Sequence, residues 1–266
     1  MTRATRIRLP AGAVLAWLLV SACTTPAPQP PAPHLEGTAW ILASLPAQAL
    51  PPTAPRPTLR FDGPRVSGSD GCNRFVGSWS VAGDTLRIGR NLASTQRACG
   101  EPIEAIAQAY GRALARASTW RIDDRGLVLV ADGGAEIATF ERQPTGLVAT
   151  TWRVVAHHDG RQSIVSVREA SRLGLEFAAG GVLRGTGGCN AFTGRWTQQA
   201  DRVAIDDIVP TTRRCAQPPD LMQQEAAFLR ALKTAALVRR EGERLELRDD
   251  SGALAVIATA SAGPRP

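Results

Sequence analysis

Apolar residues along this chain gather into short runs of strand length, broken by turn residues, with a helical stripe after each series. Thr38–Leu45, centred on Trp40, Thr58–Asp62, Arg65–Ser69, Gly77–Val81 and Thr85–Ile88 read as strands. Asp62-Gly63-Pro64 and Ala82-Gly83-Asp84 supply the turns between neighbours. Ile103, Ile106, Tyr110 and Leu114 then recur at helical spacing, with Pro102 placed to open the helix. Trp120–Ile122, Gly126–Val130 and Glu136–Phe140 predict three closing strands. A second series follows. Its helix is expected from about Pro219, presenting Leu221, Phe228, Leu229 and Leu232, with Arg244–Arg248 and Ala253–Ala258 closing it.

The two series are copies. Gly71-Cys72-Asn73-Arg74-Phe75-Val76-Gly77 returns 117 positions later as Gly188-Cys189-Asn190-Ala191-Phe192-Thr193-Gly194. Phe61 matches Phe177, Trp79 matches Trp196, and Leu35-x-x-Thr38-x-Trp40 matches Leu147-x-x-Thr150-x-Trp152. A period of this length is that of a whole small domain rather than of a solenoid unit. The expected organisation is a first domain over 35–143 and a second over 147–260. Only Glu141–Gly146 joins them, a linker too short for free tumbling.

The N-terminus predicts export. Arg3, Arg6 and Arg8 precede a short apolar run ending in Val20-Ser21-Ala22-Cys23, the layout of a signal peptide over 1–22. Its ending resembles a bacterial lipobox, which makes Cys23 the expected site of lipidation and the membrane the expected partner of the mature chain. Thr24 at the next position resembles the pattern of lipoproteins sent to the outer membrane, so a lipid-anchored envelope protein on its periplasmic face is expected. Residues 23–34 are a Pro-rich tether, reaching roughly 30 Å if extended at about 3.1 Å per residue.

Charge adds little. The 266 residues carry a formal +7, of which Arg3, Arg6 and Arg8 contribute three charges, and only Lys233 among the basic residues is lysine. The arginines are dispersed rather than gathered on one element with aromatics between them, which argues against nucleic-acid binding.

Cysteine usage is more informative. With Cys23 assigned to lipid, Cys72, Cys99, Cys189 and Cys215 remain, one pair per copy. Four cysteines allow three pairings, and only the within-copy pairing gives both repeats the same structure. Two structural disulfides are therefore expected in an oxidising compartment, each stabilising by roughly 3–4 kcal/mol in the chain-entropy model. Neither Cys-x-x-Cys nor a zinc-like Cys/His cluster is present.

With Gly-Cys-Asn-x-Phe-x-Gly, the following Thr95-Gln96-Arg97-Ala98-Cys99, the helix and the Trp120 strand in view, the chain resembles the META domain, the family of the heat-inducible envelope protein HslJ. The second copy, with Thr211-Thr212-Arg213-Arg214-Cys215, matches more loosely. The resemblance implies an α+β fold of two tandem small domains, each a curved antiparallel β-sheet with one α-helix. It also implies a role in stress or antibiotic tolerance, and brings no reaction, cofactor or catalytic set.

The remaining chemistry is sparse. No nucleophile elbow and no Ser-x-x-Lys appear. Asn73 and Asn190 are read as turn residues bonding their own main chain. His157-His158-Asp159-Gly160 is read as an exposed loop rather than a metal site. Asp123-Asp124 and Asp206-Asp207 are read as strand-end pairs, and Trp40, Trp79, Trp152 and Trp196 as core. Arg97, Arg213 and Arg214, just before the second cysteine of each copy, form the candidate binding patch. The expected function is that of a non-enzymatic lipoprotein binding an envelope protein or polymer. The alternatives are an enzyme using a groove between the copies and an inhibitor of an exogenous enzyme.

Overall fold

The computed structural model describes Met1, residues 34–161 and residues 163–261; the expected signal peptide, Cys23 and nearly all of the tether lie outside the described residues. The first copy runs β1 (Ala39–Ser44), β2 (Thr58–Asp62), β3 (Arg65–Ser69), β4 (Arg74–Ala82), β5 (Thr85–Ile88), β6 (Ala93–Ser94), α1 (Ile103–Arg116), β7 (Ala117–Asp123), β8 (Gly126–Ala131) and β9 (Glu136–Arg142). The second runs β10 (Thr150–His158), β11 (Ile164–Ser166), β12 (Leu173–Ala178), a 3-10 turn at Ala179–Gly181, β13 (Val182–Thr186), β14 (Ala191–Gln199) and β15 (Arg202–Pro210). It ends with α2 (Leu221–Lys233), β16 (Leu237–Glu241), β17 (Arg244–Arg248) and β18 (Leu254–Ala260).

The expected curved sheet closes on itself. In the first copy the order β3-β2-β1-β9-β8-β7-β5-β4 is joined end to end by β3–β4 pairing, and β6 adds to β4. In the second, β10-β12-β13-β14-β15-β16-β17-β18 is closed by β10–β18, with β11 added to β10. Closure removes the unpaired edges that an open sheet would have to protect. Each barrel has one thin joint, a single residue pair: Thr85 with Thr119 between β5 and β7, and Arg202 with Leu237 between β15 and β16.

The helices bury the stripes that predicted them. In α1, Ile106, Ala109, Tyr110, Ala113 and Leu114 are buried, and the last four share a core with Trp40, Phe61, Leu129 and Phe140. In α2, Phe228, Ala231 and Leu232 share a core with Trp152, Phe177, Trp196 and Leu247. The repeated Leu-x-x-Thr-x-Trp has a concrete cause. Thr38 donates its hydroxyl to the Leu35 carbonyl and accepts the Trp40 indole N–H at 2.7 Å. Thr150 does the same between Leu147 and Trp152, so each large indole is buried without an orphaned donor.

The described residues from His34 onward form one compact unit. Within it the β16–β17 turn of the second copy meets the first copy. Glu241, its side chain only 5% exposed, lies 2.8 Å from the Arg74 guanidinium and accepts the Thr58 hydroxyl at 3.2 Å. Arg239 donates to Ser67 Oγ at 3.0 Å, and the Gly242 N–H donates to Gln143 Oε1, in the linker, at 2.7 Å. Burying a carboxylate without partners of this kind would be costly.

Candidate functional site

The cysteines pair as the repeat requires, Cys72 with Cys99 and Cys189 with Cys215. Around each disulfide the Gly-Cys-Asn element makes a tight turn. Gly71 and Gly188 take φ of 98° and 110°, the left-handed side that only glycine adopts without strain.

The asparagines act differently from expectation. Rather than bonding their own turn, they reach across to the coil carrying the second cysteine. Asn73 Oδ1 accepts the Arg97 N–H at 2.8 Å and the Thr95 hydroxyl at 3.0 Å. Asn190 Oδ1 accepts the Arg213 N–H at 2.8 Å and the Thr211 hydroxyl at 2.6 Å. The shared Thr-x-Arg-x-Cys spacing is thus the spacing of an asparagine clamp.

What holds the turn itself is a carboxylate, and the two copies draw it from different places. In the first copy Asp70 Oδ1 accepts the N–H groups of Cys72 and Asn73 at 2.8 and 2.5 Å. The matching residue of the second copy is Gly187. There Glu225, projecting from α2 and buried, accepts the same two N–H groups, Cys189 at 3.1 Å and Asn190 at 2.6 Å. Its other oxygen accepts Asn190 Nδ2 at 2.7 Å. A β-carbon on Gly187 would lie 2.5 Å from Glu225 Cγ, so the glycine makes room for the replacement. No sequence pattern links these positions, because the carboxylate has moved from the turn to a helix.

The clamp fixes the backbone of Arg97 and Arg213 at equivalent places, with both residues exposed. Arg214, also exposed, aligns with Ala98 and has no basic counterpart in the first copy. None of the three guanidiniums forms an ion pair among the described residues.

Other candidates are placed as follows. Trp40, Trp152 and Trp196 are buried, and Trp79 packs against the core. Asp123 ends β7 and is ion-paired with Arg121 and Arg125, at 3.3 and 3.1 Å. Asp206 and Asp207 lie within β15 rather than at its end. Asp207 takes φ of 52°, at an irregularity in the β14–β15 register. The histidines correct the exposed-loop reading: both end strand β10, and His157 is only 1% exposed. Among the described residues no group of three His, Cys, Asp or Glu side chains could hold a metal ion.

Three clefts open on the second copy. One, about 810 Å³, lies over β10, β12 and β13 and is lined by Arg153, Arg172, Glu176 and Arg184. Another, about 600 Å³, lies along residues 205–209 of β15 beside Lys233. The third, about 320 Å³, lies between α2 and the β10–β11 hairpin and includes His157. Burial pushes the His157 imidazole pKa down, only partly offset by its bond to the His158 carbonyl and by the Asp159 carboxylate.

A family model described as the META domain matches residues 33–144 and again 145–262. No curated protein matches the chain. Among solved structures, a protein from Burkholderia xenovorans is similar at 27% identity, over 45% of this chain and 97% of its own, with a TM-score of 0.36. A duf4847 family protein from Bacteroides vulgatus ATCC 8482 is similar at 14% identity, over 44% of this chain and 96% of its own, with a TM-score of 0.32.

Proposed function

This chain belongs to the META domain family and carries two copies of the domain in tandem; from that premise we propose that it is a non-enzymatic lipoprotein of the bacterial envelope. In this reading Cys23 carries the acyl anchor at the periplasmic face of the outer membrane. The paired domains bind an envelope protein or polymer during stress or antibiotic exposure. The observation that supports it best is the duplicated presentation of Arg97 and Arg213 on clamped, disulfide-tied backbone. Fixing the backbone in advance lowers the entropy lost on binding, and two equivalent arginines can engage a repeating or extended acidic partner together. Arg213, rather than Arg214, is the partner of Arg97 in this scheme. The enzyme alternative is less supported, since residues at the seam between the copies, Arg74, Glu241, Arg239 and Gln143, are engaged with one another or with their neighbours across it.

The test is crosslinking in intact cells with a tagged full-length protein, comparing wild type with Arg97→Ala/Arg213→Ala. One abundant adduct that disappears in the double variant, at unchanged thermal stability, is the expected result. Only scattered membrane neighbours, identical in both strains, would refute the partner reading.

A further inference from the structure

The cleft of the second copy that includes His157 has a composition that neither the turn nor the seam explains. We propose that it binds a small oxyanion that also bears a hydroxyl group, with Arg161 and Arg230 holding the anion and His157 Nε2 accepting a hydrogen bond from the hydroxyl.

Its volume, about 320 Å³, lies at the small end of the roughly 300–1,000 Å³ of ligand pockets. Three guanidiniums, Arg161, Arg168 and Arg230, line it together with two carboxylates, Asp159 and Asp220. One oxygen of each carboxylate is already engaged. Asp159 Oδ1 accepts the backbone N–H groups of Arg161 at 2.6 Å and Ser163 at 3.2 Å, and Asp220 pairs with the Arg168 guanidinium at 3.3 Å. Arg161 and Arg230 have no ion pair among the described residues. The Arg230 guanidinium lies beside the loop, where a β-carbon on Gly160 would stand 3.8 Å from it. A planar fork of donors without a carboxylate is the usual means of holding a carboxylate or phosphate.

His157 supplies the independent observation. It lines the cleft, is 1% exposed, and its Nε2 has no partner among the described residues. Nδ1 lies 3.0 Å from the His158 carbonyl oxygen, so the ring proton belongs on Nδ1 and the lone pair on Nε2. A buried acceptor left without a donor is costly and calls for an explanation. Because Nε2 is closed to solvent in the unliganded chain, a ligand hydroxyl provides the donor as the cleft wall yields to admit it.

The first copy shows that the fold does not need this histidine. Trp40 and Trp152 correspond, and the register of β1 on β9 and of β10 on β18 breaks at the same place two residues later, which aligns His157 with Leu45. Leu45 is a core residue, and the corresponding cleft beside α1, with Ala109, Ala113 and Arg112, is largely apolar. A position that packs as leucine in one copy carries an unpaired imidazole in the other, at the rim of unpaired arginines.

The experiment is calorimetric titration of the full-length protein in detergent with glycerate and glycerol 3-phosphate, and with propanoate as the anion lacking a hydroxyl. Saturable binding of at least one hydroxylated anion is expected, with propanoate about tenfold weaker or worse. The anion class is read from which of the two binds. Arg230→Gln and Arg161→Gln are each expected to weaken binding about tenfold at unchanged melting temperature. His157→Leu, which places the first copy's residue in the second, is expected to fold and to lose the preference for the hydroxylated anion. No saturable binding of either hydroxylated anion at millimolar concentration overturns the proposal. So does retention of wild-type affinity in both arginine variants, or of the hydroxyl preference in His157→Leu.

Discussion

Replacing Glu225 by alanine, the residue type of its helical counterpart Ala107, should reveal how the second copy holds its Gly-Cys-Asn turn. The change removes the acceptor for two N–H groups, those of Cys189 and Asn190, and for Asn190 Nδ2. Cys189 and Asn190 are 8% and 3% exposed, so water cannot freely replace the carboxylate. Asn190 Nδ2 keeps the Arg213 carbonyl at 3.1 Å, so two backbone donors are orphaned at about 1–3 kcal/mol each, which places the total at about 2–6 kcal/mol, a large share of a small domain's stability. Gly187→Asp alone should also destabilise, by about 1–3 kcal/mol, because the new β-carbon meets Glu225 and a second carboxylate enters beside the first. Together the two changes recreate the first copy's arrangement, in which Asp70 serves both backbone N–H groups. The double variant should therefore recover about 2 kcal/mol relative to Glu225→Ala, though not fully, since Asn190 Nδ2 still lacks its carboxylate. Denaturation followed by per-residue NMR in the second copy isolates its transition from that of the first, as two domains need not unfold together. Strict additivity of the two single costs would refute the carboxylate swap.

Other outcomes follow from the same geometry. Cys189→Ser/Cys215→Ser should cost roughly 3 kcal/mol through loop entropy, read in the second copy's denaturation midpoint. Glu241→Ala should leave each barrel folded but loosen the pair, seen as a change in relative domain orientation by residual dipolar couplings; unchanged couplings would show that the seam does not depend on it. Burial opposes ionisation of Glu246, yet hydrogen bonds from Arg248 and Arg244 outweigh it and hold its pKa below the usual glutamate value. Its contribution is therefore present above the unfolded value of about 4.3 and lost as pH falls through the lower folded one. The stability gap between wild type and Glu246→Gln should accordingly be wide at neutral pH and narrow as the pH is lowered below the ordinary glutamate value. Thr150→Val should cost about 1–2 kcal/mol by orphaning the Trp152 indole, measured by thermal melting.

The repeat, the disulfides, the helices and most strands are legible in the sequence because each rests on residues adjacent along the chain or on a fixed offset. Thr85–Ile88 and Arg244–Arg248 coincide with β5 and β17. Barrel closure is not legible, since β3–β4 and β10–β18 pairing decides it and a curved open sheet has the same strand pattern. The short strand β11 escapes notice because Ile164–Ser166 is exposed throughout and carries no alternation. His157 reads as loop because its polar neighbours His158 and Asp159 hide a buried strand position. The role of Asn73 and Asn190 is misread for a related reason: their partners lie more than twenty residues away, and local turn chemistry suggests nearer ones.

The carboxylate swap also separates what this fold fixes from what it leaves free. Both copies keep the glycine with positive φ, the disulfide, and the asparagine that reaches the following arginine's backbone. The acid that satisfies the turn moves from strand end to helix without changing which N–H groups it serves. A polar network is specified by its satisfied donors rather than by the residue that satisfies them. By the same reasoning, side chains that differ between the copies without serving the turn are where the copies have taken separate tasks. Arg74 is drawn into the seam by Glu241, whereas its counterpart Ala191 is not. His157 replaces a packing leucine beside arginines that form no ion pair among the described residues. The first copy thus receives the second copy's hairpin, and the second copy carries the cleft lined by His157 and the arginines.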